Sequence, residues 1–178
     1  MAEPNWEAIE RLLQPLLDPD PLHDAQMAVR LARHVDYLAE GREPFDRDKA
    51  RLLCWFHGIR TRAMDPAERR HWMRPLREAG VPLATQTWLW IALERYLESP
   101  GTDEECVAHD AVALERVGAV GVARAFSRGG KTGEALSETV DVLRRNLAEA
   151  VFLTPAGRRL GVRRIVYTRR FLKELEDE

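Results

Sequence analysis

Apolar residues recur at helical spacing along most of this chain. Trp6, Ile9, Leu12, Leu13 and Leu16 fall on one side of a helix that Asn5 is placed to cap. Asp18-Pro-Asp-Pro21 ends that helix, because proline cannot continue it and restricts its predecessor. A second helix is expected from about His23 to Glu40, with Met27, Leu31, Val35 and Leu38 inward and Gly41 as its stop. Asp46 opens a third, whose Leu52-Leu-Cys-Trp-Phe-His57 run is apolar all round and marks the most buried helix. Asp65-Pro66 starts a fourth, to about Ala79-Gly80, which Pro75 kinks or shortens. A fifth runs from Thr85 to Glu98. Thr102-Asp-Glu-Glu105 has the capping-box form, and a sixth helix, or two short ones, follows from Glu105 to about Phe126. Ser127 to Gly133 reads as a loop, Glu134 to Val151 as a helix, and Pro155 opens the last helix.

No segment alternates with period two long enough to require a strand. The expected fold is therefore all-α, a single domain over 1–178 of about seven to eight helices. Its core covers about 20–126, and 134–178 forms a C-terminal helical extension.

Composition narrows the setting. A chain of 178 residues with 45% hydrophobic and 31% charged residues has the balance of one ordinary globular domain. No apolar run is long enough to span a membrane. The acidic start, Met1-Ala-Glu-Pro-Asn-Trp-Glu, lacks the apolar centre of a secretory signal, and Cys54 and Cys106 are too few for a disulfide scaffold. A cytoplasmic location is expected. The net charge of −2 argues against nucleic acid as a partner. The paired arginines of the tail (158-159, 163-164, 169-170) form a basic stripe, but acidic residues follow at 174–178.

Several chemical motifs are absent. Gly130-Lys131-Thr132 ends like a phosphate-binding P-loop, but Ala125 stands where the first glycine belongs and no strand precedes it. Lys131 could still meet an anion from a glycine-rich turn. There is no HExxH, no CxxC and no GxSxG. A metal site would have to join histidines and aspartates from separate helices. The candidates are His57 at the end of the buried third helix, Asp110 in the sixth, and His23-Asp24 at the start of the second. The ordinary structural alternative has His57 bonded to a backbone carbonyl, and Asp110 capping a helix or paired with an arginine. His34 and His71 read as surface or rim residues.

Together these segments resemble the HD-domain phosphohydrolase superfamily, and in particular its small bacterial nucleotide-hydrolysing members. Leu22-His23-Asp24-Ala-Gln-Met27-Ala-Val-Arg30 is similar to that family's opening helix. Leu52-Leu-Cys-Trp-Phe-His57-Gly58-Ile59 is similar to its central helix. Val107 to Phe126, through His109-Asp110-Ala-Val112 and Gly118-Ala-Val-Gly121-Val-Ala-Arg124, resembles its last-ligand helix. The resemblance implies an all-α fold and a divalent metal held by an H…HD…D pattern. It also implies hydrolysis of phosphate esters. His57 and Asp110 match two of the four ligand positions. Met27 stands at the first histidine, Gly58 at the aspartate of the doublet, and Val112 at a further acidic position. Methionine is a poor ligand for hard cations and glycine offers none.

The expectation is a degenerate HD domain in which metal-dependent phosphohydrolysis is lost or impaired, binding a nucleotide, another phosphate-bearing ligand or a protein partner. The alternative is an active hydrolase on nucleotides with a rebuilt site of His23, His57 and Asp110. That site would hold Mn, Mg, Fe, Ni or Zn as its only cofactor. Arg30, Arg60 and Lys131 are the candidate phosphate-binding residues. Arg60 and Arg62, with Arg69, Arg70, Arg74 and Arg77, either face an anion or form a solvated face paired with Asp65, Glu68 and Glu78. Homo-oligomers are a third possibility, for which Trp72, Trp88 and Trp90 are the apolar side chains to inspect.

Overall fold

The computed structural model describes residues 3–17 and 25–178. His23, Asp24 and the Asp18–Pro21 breaker lie outside the described residues. The described chain is all-helical, in the order α1 (Trp6–Leu13), α2 (Ala25–Leu38), α3 (Arg47–His57), α4 (Arg60–Ala63), α5 (Pro66–Glu78), α6 (Leu83–Arg95), α7 (Asp103–Glu115), α8 (Gly118–Thr132), α9 (Leu136–Ala148) and α10 (Pro155–Asp177). A short 3₁₀ turn, Gln14–Leu16, follows α1.

Local chemistry sets most helix starts. The side chains of Asn5, Asp46, Asp65, Thr102 and Thr154 each accept a backbone N–H from the first turn of the helix they precede. Gly41 and Gly80 end α2 and α5 with φ of +71° and +84°, a region that side chains rarely enter. Pro75 is accommodated inside α5.

Ten helices exceed the expected seven or eight for two reasons. The turn after His57 folds into the short α4, and the expected sixth helix breaks at Val117, with Gly118 at φ +79°. Gly118 N donates to Thr168 Oγ1 at 2.7 Å, so the break is bonded to α10. The expected loop at 127–133 is instead the last turn and a half of α8. Gly129 is buried there because a Cβ would come within 2.2 Å of Thr139 Oγ1 on α9. The glycines serve close helix packing, and the left-handed turn waits until Gly133.

The core forms around α2, α3 and α7. Met27, Leu31, Val35 and Leu38 are buried along α2, and Leu52 to Phe56 are buried without a break on α3. Trp72 and Trp90 are buried edge-on against Phe56, and Trp88 is partly buried below Lys49, so these three rings form no exposed patch. Glu105, fully buried, accepts two bonds from Arg95, at 3.0 and 2.8 Å, and one from Gly101 N at 2.7 Å. A second, smaller cluster, with Val122, Ala125, Val140, Leu143 and Leu172, joins α8, α9 and α10. No helix among the described residues is long and apolar enough to cross a membrane.

Candidate functional site

A cleft of about 350 Å³ opens where α2, α3, α7, α8 and α9 meet. Met27 of α2 and His57 of α3 line it. Val112 and Glu115 come from α7 and Arg116 from its end, Arg124 and Arg128 from α8, and Arg145, Asn146 and Glu149 from α9 and its end. Four guanidinium groups thus border one space with two carboxylates.

Glu115 is the electrostatic centre. It is buried, and its Oε2 accepts bonds from Arg30 at 3.0 Å and Arg124 at 2.8 Å. His34 Nε2 lies 3.4 Å from Oε1, and the ring is partly buried beside it. Burial raises the Glu115 carboxyl, but His34, Arg30 and Arg124 outweigh it and hold the group below its ordinary value. Arg124 also reaches Met27 Sδ at 3.2 Å with its other nitrogen. A fixed positive charge therefore rests against the side chain at the first metal-ligand position implied by the resemblance.

His57 closes α3, and its Nδ1 is hydrogen-bonded to the hydroxyl of Tyr96, the residue that follows α6. Tyr96 is fully buried; burial, followed by the neighbouring Cys54, pushes its phenol well above the usual value. Among the described residues the hydrogen-bond partner of His57 is thus the Tyr96 side chain.

Asp110 does not reach this cleft. It is fully buried, with Oδ1 accepting Leu153 N at 2.8 Å and Oδ2 accepting Thr154 N at 2.8 Å and Thr154 Oγ1 at 2.7 Å. His109 Nδ1 lies 3.2 Å from Oδ1. Desolvation raises this carboxyl, but the bonds from His109, Leu153 and Thr154 prevail and lower it below its ordinary value. Two residues along a helix turn the side chain by about 200°, so Val112 faces His57 and Asp110 faces α10. Asp110 is not among the residues that line the cleft with His57, and its oxygens accept the N–H groups at the start of α10, close to the capping alternative held open for it. A smaller cavity of about 170 Å³ shares Val112, Arg116 and Glu149 with the cleft and touches His109.

The expected phosphate-binding residues lie elsewhere. Arg30 pairs with Glu115 behind the cleft wall. Arg60 donates to Leu93 O at 2.8 Å and Glu94 O at 3.2 Å, closing the end of α6. Lys131 sits exposed in the last turn of α8, whose backbone is helical and forms no anion-binding turn. The neighbouring arginines are paired at the surface, Arg62 with Glu68, Arg69 with Glu94 and Arg74 with Glu78. The cleft's own set, Arg116, Arg124, Arg128 and Arg145, went unnoticed as a group. Their only signal was spacing: 124 and 128 are one helical turn apart, and 145 lies on the next long helix.

Among the described residues the donor set does not suit a divalent cation. Among the described residues no three His, Cys, Asp or Glu side chains converge. Glu115, the one buried carboxylate that the described residues bring to the cleft, is already compensated by two arginines.

No protein-family model and no curated protein matches this chain. Solved structures do. A Lactobacillus plantarum protein superposes with a TM-score of 0.79 at 18% identity, covering 99% of this chain and 97% of its own. Bacillus subtilis YpgQ in complex with ADP gives 0.75 at 21% identity, covering 96% of each chain. A predicted HD superfamily hydrolase from an uncultured Thermotogales bacterium gives 0.67 at 18% identity, covering 98% of this chain and 92% of its own. The chain has the HD-domain-like fold, a single all-α bundle.

Proposed function

We propose that this protein is an HD-fold protein without metal-dependent phosphohydrolase activity, and that its arginine-lined cleft binds a phosphate-bearing ligand such as a nucleoside diphosphate. One observation carries the reading: Arg124 bridges Glu115 and Met27 where the resemblance calls for a cation. A guanidinium already neutralises the buried carboxylate, and Met27 and Val112 supply no hard oxygen or imidazole donor. HD-type hydrolysis depends on a metal to generate hydroxide from bound water and to polarise the phosphoryl group. What remains is a concave site rich in bidentate donors, which matches phosphate oxygens. The ADP bound to Bacillus subtilis YpgQ, which shares the fold, supports a nucleotide as the first ligand to try.

The rival reading, an active hydrolase built from His23, His57 and Asp110, draws no support from Asp110, whose oxygens are turned into α10. Metal analysis of the purified protein, followed by calorimetric titration with ADP and a phosphate-release assay with added Mn²⁺, separates the two. The expected result is ADP binding without stoichiometric metal or phosphate release. Stoichiometric Mn, Fe, Ni or Zn, or phosphate release abolished by His57→Ala, would overturn the proposal.

A further inference from the structure

We propose that the outward face of α10 is a binding surface for the phosphate backbone of a nucleic-acid duplex, without regard to base sequence. The arginine-lined cleft plays no part in it.

The net charge of −2 hides a strong asymmetry. Residues 150–173 contain seven arginines and lysines and no acid, while the rest of the chain holds twenty basic and twenty-nine acidic residues. One of the seven, Arg164, turns inward and donates to Leu114 O at 2.6 Å. The other six, Arg158, Arg159, Arg163, Arg169, Arg170 and Lys173, are exposed. Arg158 donates to Leu153 O at 2.9 Å. Among the described residues the only ion pair these six make is Arg170 with Glu174, at 2.8 Å. Successive residues turn by about 100° around a helix. Positions 159, 163, 166, 170 and 173 therefore stay within an arc of about 80° and run for about 21 Å along the axis. Val162, Val166 and Tyr167, 61%, 57% and 49% exposed, lie among them.

Such a face is unfavourable for the chain alone. Arg159 and Arg163, and likewise Arg169 and Lys173, are like charges one turn apart, which weakens a helix. A polyanion removes that repulsion. A duplex carries one phosphate charge per ~1.7 Å of its axis, so about a dozen fall within the length of the basic segment. Arginine, six of the seven, meets phosphate oxygens with paired N–H groups.

Other occupants fit less well. A symmetric antiparallel pairing of two copies about Val166 sets Arg163 against Arg169 and Arg159 against Lys173. An anionic membrane would lie along the whole helix and meet the exposed acids Glu174, Glu176, Asp177 and Glu178. Two valines and a tyrosine also lack the Trp, Phe or Leu that seats a helix in a lipid interface. A rod-shaped polyanion crosses the basic segment and leaves the acidic end in water.

Fluorescence anisotropy of a labelled DNA duplex of about 20 base pairs, titrated with the full-length protein, tests this. The expected dissociation constant is roughly 10⁻⁴ to 10⁻⁶ M near physiological salt, rising steeply as salt is added. Arg159→Glu combined with Arg163→Glu should weaken binding about tenfold or more and flatten the salt dependence. Arg11→Glu, a charge reversal at an exposed position of α1, should change it by less than about twofold. Saturating ADP should leave duplex binding unchanged. The milder Arg159→Gln with Arg163→Gln, expected to lose about threefold, decides the case if the reversal fails to fold by circular dichroism. No duplex binding at low salt would overturn the proposal, as would equal losses in the α10 and Arg11 variants. Displacement of the duplex by ADP would move the site to the cleft and overturn it too. Binding to vesicles of anionic phospholipid without binding to the duplex would replace it with a membrane surface.

Discussion

Asp110 and Thr154 meet across 44 positions of sequence, the Thr154 hydroxyl and backbone N–H both donating to Asp110 Oδ2. The same hydroxyl accepts Gly157 N at 2.8 Å, so a buried carboxylate of α7 and the first turn of α10 form one network. The N-terminal end of a helix favours negative charge, which adds to the attraction. The long terminal helix is thus attached to the core at its first turn.

The pH dependence of stability should carry this signature. The native carboxyl of Asp110 lies below its ordinary value of 3.8, so its contribution is complete above that pH. It is lost as the pH falls through the lower native value. Denaturant titrations between about pH 2 and 7, from below the ordinary carboxylate pKa to well above it, should show Asp110→Asn destabilised at pH 7 and less so in acid. Parallel curves for the two proteins would contradict the assignment.

Gly157→Ala should destabilise the fold by about 2 kcal/mol or more, in the range of overpacked cores. An added Cβ would stand 2.0 Å from Asp110 Oδ2 and 2.7 Å from its carboxyl carbon. A chemical-denaturation midpoint equal to that of the wild type would show that α10 can shift without loss.

Glu115→Ala should cost about 3 kcal/mol, because it removes the buried carboxylate that Arg30 and Arg124 share. Thermal melts report it. The effect should exceed that of Glu149→Ala, whose pairing with Arg116 at 3.6 Å lies at the surface.

The arginines divide by role. Arg128→Ala and Arg145→Ala should each weaken ADP binding by roughly tenfold, the loss of one charge-assisted contact, with little change in melting temperature. Arg60→Ala should do the reverse, since Arg60 serves the carbonyls at the end of α6. Binding measured at two salt concentrations should weaken with salt if the arginines carry it.

Thiol titration gives a simple check of burial. Cys54 is fully buried and desolvation pushes its thiol far above the ordinary value, whereas Cys106 is only partly buried. An aromatic disulfide reagent should modify Cys106 in the native protein and both thiols after unfolding.

Helix starts were readable because caps are local. Asn5, Asp46, Asp65 and Thr102 each need only the next two or three residues to reveal themselves. The inward stripe of α2 was readable because α2 has one polar side. The face of α7 was not, and the reason is physical. Val107, Ala108 and every position from Asp110 to Glu115 are buried, so polarity does not distinguish the side facing His57 from the side facing α10. Asp110 was therefore matched to a ligand position, and only long-range packing shows that Val112 is the residue on the cleft side. Gly129-Gly130 misled for a related cause: a glycine that makes room for Thr139 looks, in sequence, like one that makes a turn. Tyr96 gave no signal at all, since nothing local links it to a histidine 39 positions earlier.

The junction at Asp110 also bears on how the chain matures. Three of its hydrogen bonds come from Leu153 and Thr154, so during synthesis α7 emerges well before the groups that satisfy its carboxylate. Until those residues leave the ribosome, the helix must either keep that position wet or hold it protonated. Final consolidation of the interior therefore waits for the tail.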